Sequence, residues 1–348
     1  MHLLKILLNN LIFLKINPAS YFFGNALTSG LLVLAILAGS VIGTISPGTG
    51  ESLGSWVDPA ILTLIGILFF EVRFETLKHL RGHLRFLTLA WVANFVIIPT
   101  LGYGLAAIVM GGQPPFFLGL FIYFMAPCTD WFLGFTRLAK GNVALGAVLL
   151  PINLITQLLL YPVYLGIFAQ KSAESGIGEI GSTLLQWFLI PLLCGVAVHL
   201  MLGGLLKPVS FEAVLGLSGR VVPFILAVIV LGIFAANIST ILEHVGTFAL
   251  ILVAVFVFFA ATYFLVEGLS ALFHLEYPER VLLTMTTAAR NAPLMLGITA
   301  VAFPDQPLVY AAIIIGMLVE FPHLTILKHI LLHRRKVPNA ISSLEIAR

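Results

Sequence analysis

Ten stretches of this chain are each about 20 mostly apolar residues long, the length a helix needs to cross the hydrocarbon core of a bilayer. They fall near 26–46, 57–76, 84–108, 115–137, 141–168, 181–203, 219–239, 246–267, 278–302 and 307–331. In hydrocarbon the backbone must satisfy its own hydrogen bonds, so each stretch is expected as a helix. Composition agrees: 60% of residues are hydrophobic and 9% charged, where a soluble domain carries roughly 25% charge. The expectation is an all-α polytopic membrane protein. Leu3–Leu14 is too short to span, and its flanking Lys5 and Lys15 read as an interfacial helix rather than a cleavable signal peptide.

Charge placement orients the spans. Connections of even parity, with both tails, hold sixteen of the eighteen lysines and arginines; the opposite connections hold Lys171, and Arg290 lies within a span. By the positive-inside rule both termini are cytoplasmic, and the plasma membrane is the expected location. The expected organisation is an interfacial segment over 1–25, a ten-helix domain over 26–331, and a cytoplasmic tail over 332–348.

The fourth and ninth stretches are broken in the middle. One reads Met125-Ala126-Pro127-Cys128-Thr129-Asp130 and the other Ala288-Ala289-Arg290-Asn291-Ala292-Pro293. A lone charge at bilayer depth costs about 2.5–3.5 kcal/mol on insertion scales, and proline removes a helix hydrogen bond. The breaks hold the same place in two sets of five spans, about 26–168 and 181–331. An odd number of spans inverts the second set relative to the first. The expected fold is therefore two inverted five-helix repeats whose discontinuous fourth and ninth helices cross, with helix breaks at Pro127 and Pro293. Secondary transporters place their binding sites at such breaks.

Several side chains near the breaks carry chemistry. Cys128 is a soft ligand at an irregular backbone, or else a small packing residue. Cys194, away from any break, reads as packing. With only two cysteines, neither a disulfide framework nor a metal site is expected. Asp130 and Arg290 could pair across the crossing, as a structural ion pair or as coupling or gating charges. Glu320, with His323 three residues on, is either a proton relay or a snorkelling carboxylate. Asn94, Asn153 and Gln157 read as interhelical hydrogen-bonding groups rather than direct ligands. No basic patch interleaves with aromatics, which excludes nucleic acid as a partner. No phosphate-binding glycine loop and no nucleophile–base pair is legible, so neither an ATPase nor another enzyme is expected, and no cofactor.

Ala126-Pro127-Cys128-Thr129, followed by Leu138-Ala139-Lys140-Gly141-Asn142, resembles the fourth-helix region of the bile acid/sodium symporter superfamily. The A-P-C-T element resembles in particular the arsenical-resistance permeases, which export arsenite. Asn291 with Leu294 resembles the family's ninth-helix break, and Gly316-Met317-Leu318-Val319-Glu320-Phe321-Pro322 the G-x-L-V-E-x-P element of the arsenite permeases. The resemblance implies a core and a panel domain, a transport role for Cys128, and exchange of arsenite for protons.

The chain also departs from the pattern. Sodium-coupled members place small polar side chains where this sequence has Phe132 and Leu133, which supply no oxygen ligands. Arg290 stands where the symporters have glutamine. A guanidinium there repels sodium and can stand in for it, with Asp130 as counter-charge. Pro293 replaces a glutamate that many arsenite permeases carry.

The leading expectation is a proton-coupled exporter of arsenite or a similar metalloid oxyacid. Cys128, Thr129 and Asn291 would bind the substrate, and Asp130, Arg290 and Glu320 would serve as coupling or gating charges. The alternatives are an organic-anion carrier of the same superfamily and a non-transporting membrane sensor. Oligomeric state is left open.

Overall fold

The computed structural model describes residues 18–72, 83–129, 131–168, 192–303 and 306–346, and among them the secondary structure is helical throughout. Helix α1 spans Pro18–Ile45, α2 Pro47–Gly54 and α3 Val57–Phe70. Helix α4 spans Leu84–Met110, with Ala93–Ile97 wound as a π-helix. Then follow α5 (Pro114–Met125), α6 (Trp131–Leu138), α7 (Val143–Phe168), α8 (Leu192–Leu205), α9 (Pro208–Leu242) and α10 (Val245–Leu272). Helices α11 (Tyr277–Ala288), α12 (Ala292–Ala302) and α13 (Pro307–Ile346) complete the set.

Among the described residues, seven units are long and apolar enough to cross a membrane: α1, α2 with α3, α4, α7, α9, α10 and α13. Two further apolar stretches are split into the pairs α5/α6 and α11/α12, at the positions where the sequence places its breaks. Of the expected sixth span only α8 is described. The expected interfacial helix over 3–14 lies outside the described residues, as does the connection over 73–82.

Two groups of helices form. In one, α9 packs along α1, α2 and α3. Gly39 and Gly43 let α1 approach closely: a Cβ on Gly43 would lie 2.2 Å from the Ala235 carbonyl oxygen of α9. Small residues four apart are a common means of packing helices in lipid, where hydrophobic burial between helices gains little. Helix α8 joins through His199, whose Nδ1 lies 2.7 Å from the Phe70 carbonyl at the end of α3. The second group is α4, α5/α6, α7, α10, α11/α12 and α13. It is packed by aromatics, with Phe124 stacked on Phe258 at 4.0 Å between ring centroids.

The Leu138–Asn142 element has a structural explanation. Lys140 adopts a left-handed conformation (φ 64°) and ends α6, while Asn142 Oδ1 caps α7 by accepting from Leu145 N at 3.0 Å. Between them Gly141 lies against α11, where a Cβ would meet Val281 at 2.6 Å. The Tyr277 hydroxyl donates to the Ala139 carbonyl at 2.8 Å. This corner thereby fixes the end of one broken helix against the start of the other.

Candidate functional site

Helix α5 ends at Met125 because Ala126 is extended (φ −104°, ψ 115°) and Pro127 follows. Helix α11 ends at Ala288, and Ala289 is likewise extended (φ −74°, ψ 135°). The two irregular segments meet as a short antiparallel bridge. Cys128 N donates to Ala289 O and Asn291 N to Ala126 O, each at 3.0 Å. Pro127 and Arg290 face each other between these bonds. That position uses no N–H in the bridge, so the proline loses nothing there. The matching N–H of Arg290 is taken by Glu320, whose Oε1 accepts it at 3.0 Å.

The crossing gathers four helix ends. The carbonyl ends of α5 and α11 carry partial negative charge, and the amide ends of α6 and α12 partial positive charge. The Arg290 guanidinium occupies the carbonyl ends of both first half-helices. Its Nη1 donates to Phe124 O at 2.9 Å, and its Nη2 to Thr286 O at 3.3 Å and to Thr287 O. The side chain is fully buried, lies over the Phe258 ring at 5.8 Å, and leaves Nε without a hydrogen-bond partner among the described residues. Tyr123, Glu320 and Cys128 lie close enough to act on its charge. The arrangement is a fixed monovalent cation held by backbone oxygens.

The structure brings most of the remaining sequence-picked residues to this point. Cys128 is fully buried in the bridge. Thr129 and Asn291 meet across it, Asn291 Nδ2 donating to Thr129 Oγ1 at 3.1 Å. Asn291 also caps α12 through Leu294 N, and Pro293 lies in the first turn of that helix, where proline is favoured. Glu320 is 2% exposed and faces the crossing rather than snorkelling away. His323 stacks on Phe259 at 4.0 Å. Phe132 is fully buried beside the break, whereas Cys194 is exposed. Asp130 lies outside the described residues, so the expected pairing with Arg290 does too; the described partners of the guanidinium are carbonyls.

Other contributors carried little or no signal in the sequence. The Thr286 hydroxyl accepts from both Asn94 Nδ2 (3.1 Å) and Asn153 Nδ2 (3.2 Å), joining α4, α7 and α11. Asn94 lies in the π-helical turn of α4, and the Tyr164 hydroxyl caps that turn's Phe95 carbonyl at 2.5 Å. Tyr123 sits inside an unbroken apolar run, so no pattern marks it. A crevice of about 720 Å³ opens between the two helix groups. Its walls include Glu51 and Asp58 on one side and Ala300 and Tyr310 on the other.

Broken helices that cross within a bundle of membrane-spanning helices are the build of a secondary transporter. The chain belongs to the Sodium Bile acid symporter family, whose model matches residues 60–269. It is a multi-pass membrane transporter. It is similar to the uncharacterized sodium-dependent transporter YocS of Bacillus subtilis, at 21% identity over 305 residues, covering 86% of this chain and 88% of the relative. It is also similar to the arsenical-resistance protein Acr3 of Corynebacterium glutamicum, at 23% identity over 320 residues, covering 84% of each. A third relative, YbaS of Bacillus subtilis, is 24% identical over 272 residues, covering 76% of this chain and 85% of the relative.

Proposed function

We propose that this protein exports arsenite or a similar metalloid oxyacid, independently of sodium and in exchange for protons. The observation that carries this reading is Cys128, a thiol buried within the bridge between two broken helices and close to a fixed cation. At neutral pH arsenite is a neutral trihydroxide with high affinity for sulfur, and thiols are the matching soft ligands. Binding would form one As–S bond and release one water, taking a hydroxyl from arsenic and the thiol proton. Thr129 and Asn291 flank the position as hydrogen-bonding groups.

The coupling assignment rests on Arg290. A guanidinium at the carbonyl ends of α5 and α11 supplies the charge that a dissolved cation would otherwise bring. Phe132, in the first turn of α6, offers no oxygen ligand. Glu320 is the described carboxylate placed to carry a proton, and Asp130 is the other candidate. We further assign ten spans in two inverted sets, with both termini in the cytoplasm and the protein in the plasma membrane. The exchanged pattern of contacts supports this: α1, from the first set, packs on α9, and α8, from the second, on α3.

One observation favours a larger organic solute. The crevice has the size of a drug-like ligand's site, far more than a metalloid needs. Its walls carry Glu51 and Asp58, however, which repel an organic anion, and the Arg290 guanidinium is already engaged by carbonyls. The deciding experiment is arsenite tolerance in a host without its own exporter. Wild type is expected to restore growth and Cys128→Ser to fail at equal membrane abundance. Equal protection by both would remove Cys128 from the mechanism. No protection by wild type, with thermal stabilisation by a carboxylate, would favour the organic-anion reading.

A further inference from the structure

Helix α7 carries a polar stripe that the reading above leaves unused. Asn153, Gln157 and Tyr161 recur at every fourth residue, so they share one face of the helix. All three are buried. One end of the stripe reaches the crossing: Asn153 Nδ2 lies 3.4 Å from the Cys128 carbonyl oxygen and shares the Thr286 hydroxyl with Asn94. The other end leads toward the crevice. The Tyr161 hydroxyl lies 3.3 Å from Thr299 Oγ1, Ala300 follows in the crevice wall, and Tyr310 of that wall is near enough to act on Tyr161.

Between these ends four polar atoms are unsatisfied. Asn94 Oδ1, Asn153 Oδ1 and both amide atoms of Gln157 have no hydrogen-bond partner among the described residues. Buried amides without partners are rare in native proteins, and a group of them calls for an occupant. The chemistry of the group limits what that occupant is. Three carbonyl oxygens repel an anion. A cation is repelled by the Arg290 guanidinium, which bonds the carbonyl of Thr286, the residue whose hydroxyl joins Asn94 and Asn153. What remains is an uncharged molecule whose hydroxyls donate to the three oxygens and whose own oxygen accepts from Gln157 Nε2.

We propose that Gln157, with the amide oxygens of Asn94 and Asn153, forms a subsite for the hydroxyls of a small neutral polyhydroxylated solute passing between the crossing and the crevice. This rests on the metalloid reading and names the groups that bind the metalloid's hydroxyls.

The test is arsenite counterflow in proteoliposomes, with wild type, Gln157→Leu and Gln157→Asn, alongside thermal unfolding of each. Leucine removes two unpartnered polar atoms from a buried face, so the unfolding midpoint is expected to hold or rise. KM for arsenite is expected to rise about tenfold, the worth of one good hydrogen bond, and asparagine to recover part of it. A KM within twofold of wild type in a transporter that does move arsenite would overturn the subsite alone. So would a KM increase accompanied by a lowered midpoint, which would make Gln157 a packing residue. A wild type that moves no arsenite would overturn the metalloid reading and this ligand with it.

Discussion

A buried arginine is tolerated only where its surroundings supply negative potential, and Arg290 finds it in backbone. Three carbonyls from two helix ends take its Nη hydrogens, and the Glu320 carboxylate lies close by, accepting from Arg290 N. The carboxylate in turn depends on the guanidinium and on the Arg290 N–H for its own burial. Removing one member strands the other, and an uncompensated buried charge costs about 3–5 kcal/mol. Arg290→Gln is therefore expected to lower stability in detergent by roughly that amount. Adding Glu320→Gln should recover roughly half, because no unpaired charge then remains. The check is thermal unfolding of the two single variants and the double. A double variant no more stable than Arg290→Gln would show that the two charges do not compensate each other. Pro293, the residue that departs most from the arsenite permeases, starts α12 behind the Asn291 cap. Its place in the first turn accounts for a proline there on conformational grounds alone.

At the level of elements, helices here are positioned by small residues on one side and aromatic rings on the other. The close approach of α1 to α9 depends on Gly43, where any side chain meets the Ala235 carbonyl. Gly43→Val is expected to push the helices apart and cost about 1–3 kcal/mol, whereas Gly30→Ala, with nothing within 4 Å of its Cβ, should be nearly silent. Unfolding midpoints of the two variants check the contrast, and an equal effect at both positions would remove the packing argument. Helix locations and the two breaks were legible in the sequence because apolar length and proline with a charge are one-dimensional signals. What the breaks touch was not. Nothing in the chain pairs Pro127 with Arg290 or aims the guanidinium at carbonyls, since those partners are backbone and carry no residue identity. The π-helical turn around Asn94 was hidden for a related reason: the outward face of α4, with Val96 and Ile108 exposed, is as apolar as its packed face, so no amphipathic period reveals a local change of winding. The stripe on α7 was visible as spacing, but only the absence of partners marks it as more than interhelical bonding.

At the scale of the whole molecule, the crevice separates the group built on α1, α3 and α9 from the group that holds the crossing. The site's cation is rooted entirely in the second group, since Phe124, Thr286, Thr287, Glu320 and Arg290 all belong to it. Alternating access in such a fold follows from moving one packed group against the other around an intact site, rather than from rearranging the site. The contacts that must slide are those of α13 with α9 and α1 and the one between α3 and α12, where a Cβ on Gly297 would lie 3.1 Å from the Ile65 side chain. Cysteines at both positions, in a Cys194→Ala background, should form a disulfide on mild oxidation, because replacing Ile65 clears the space that Gly297→Cys fills. The oxidised double variant is expected to lose counterflow and to regain it on reduction, while oxidation leaves the rate of each single variant unchanged. Cross-linked protein that transports at the reduced rate would mean that α3 and α12 do not move apart. The route past the crossing would then run through the interior of the second group alone.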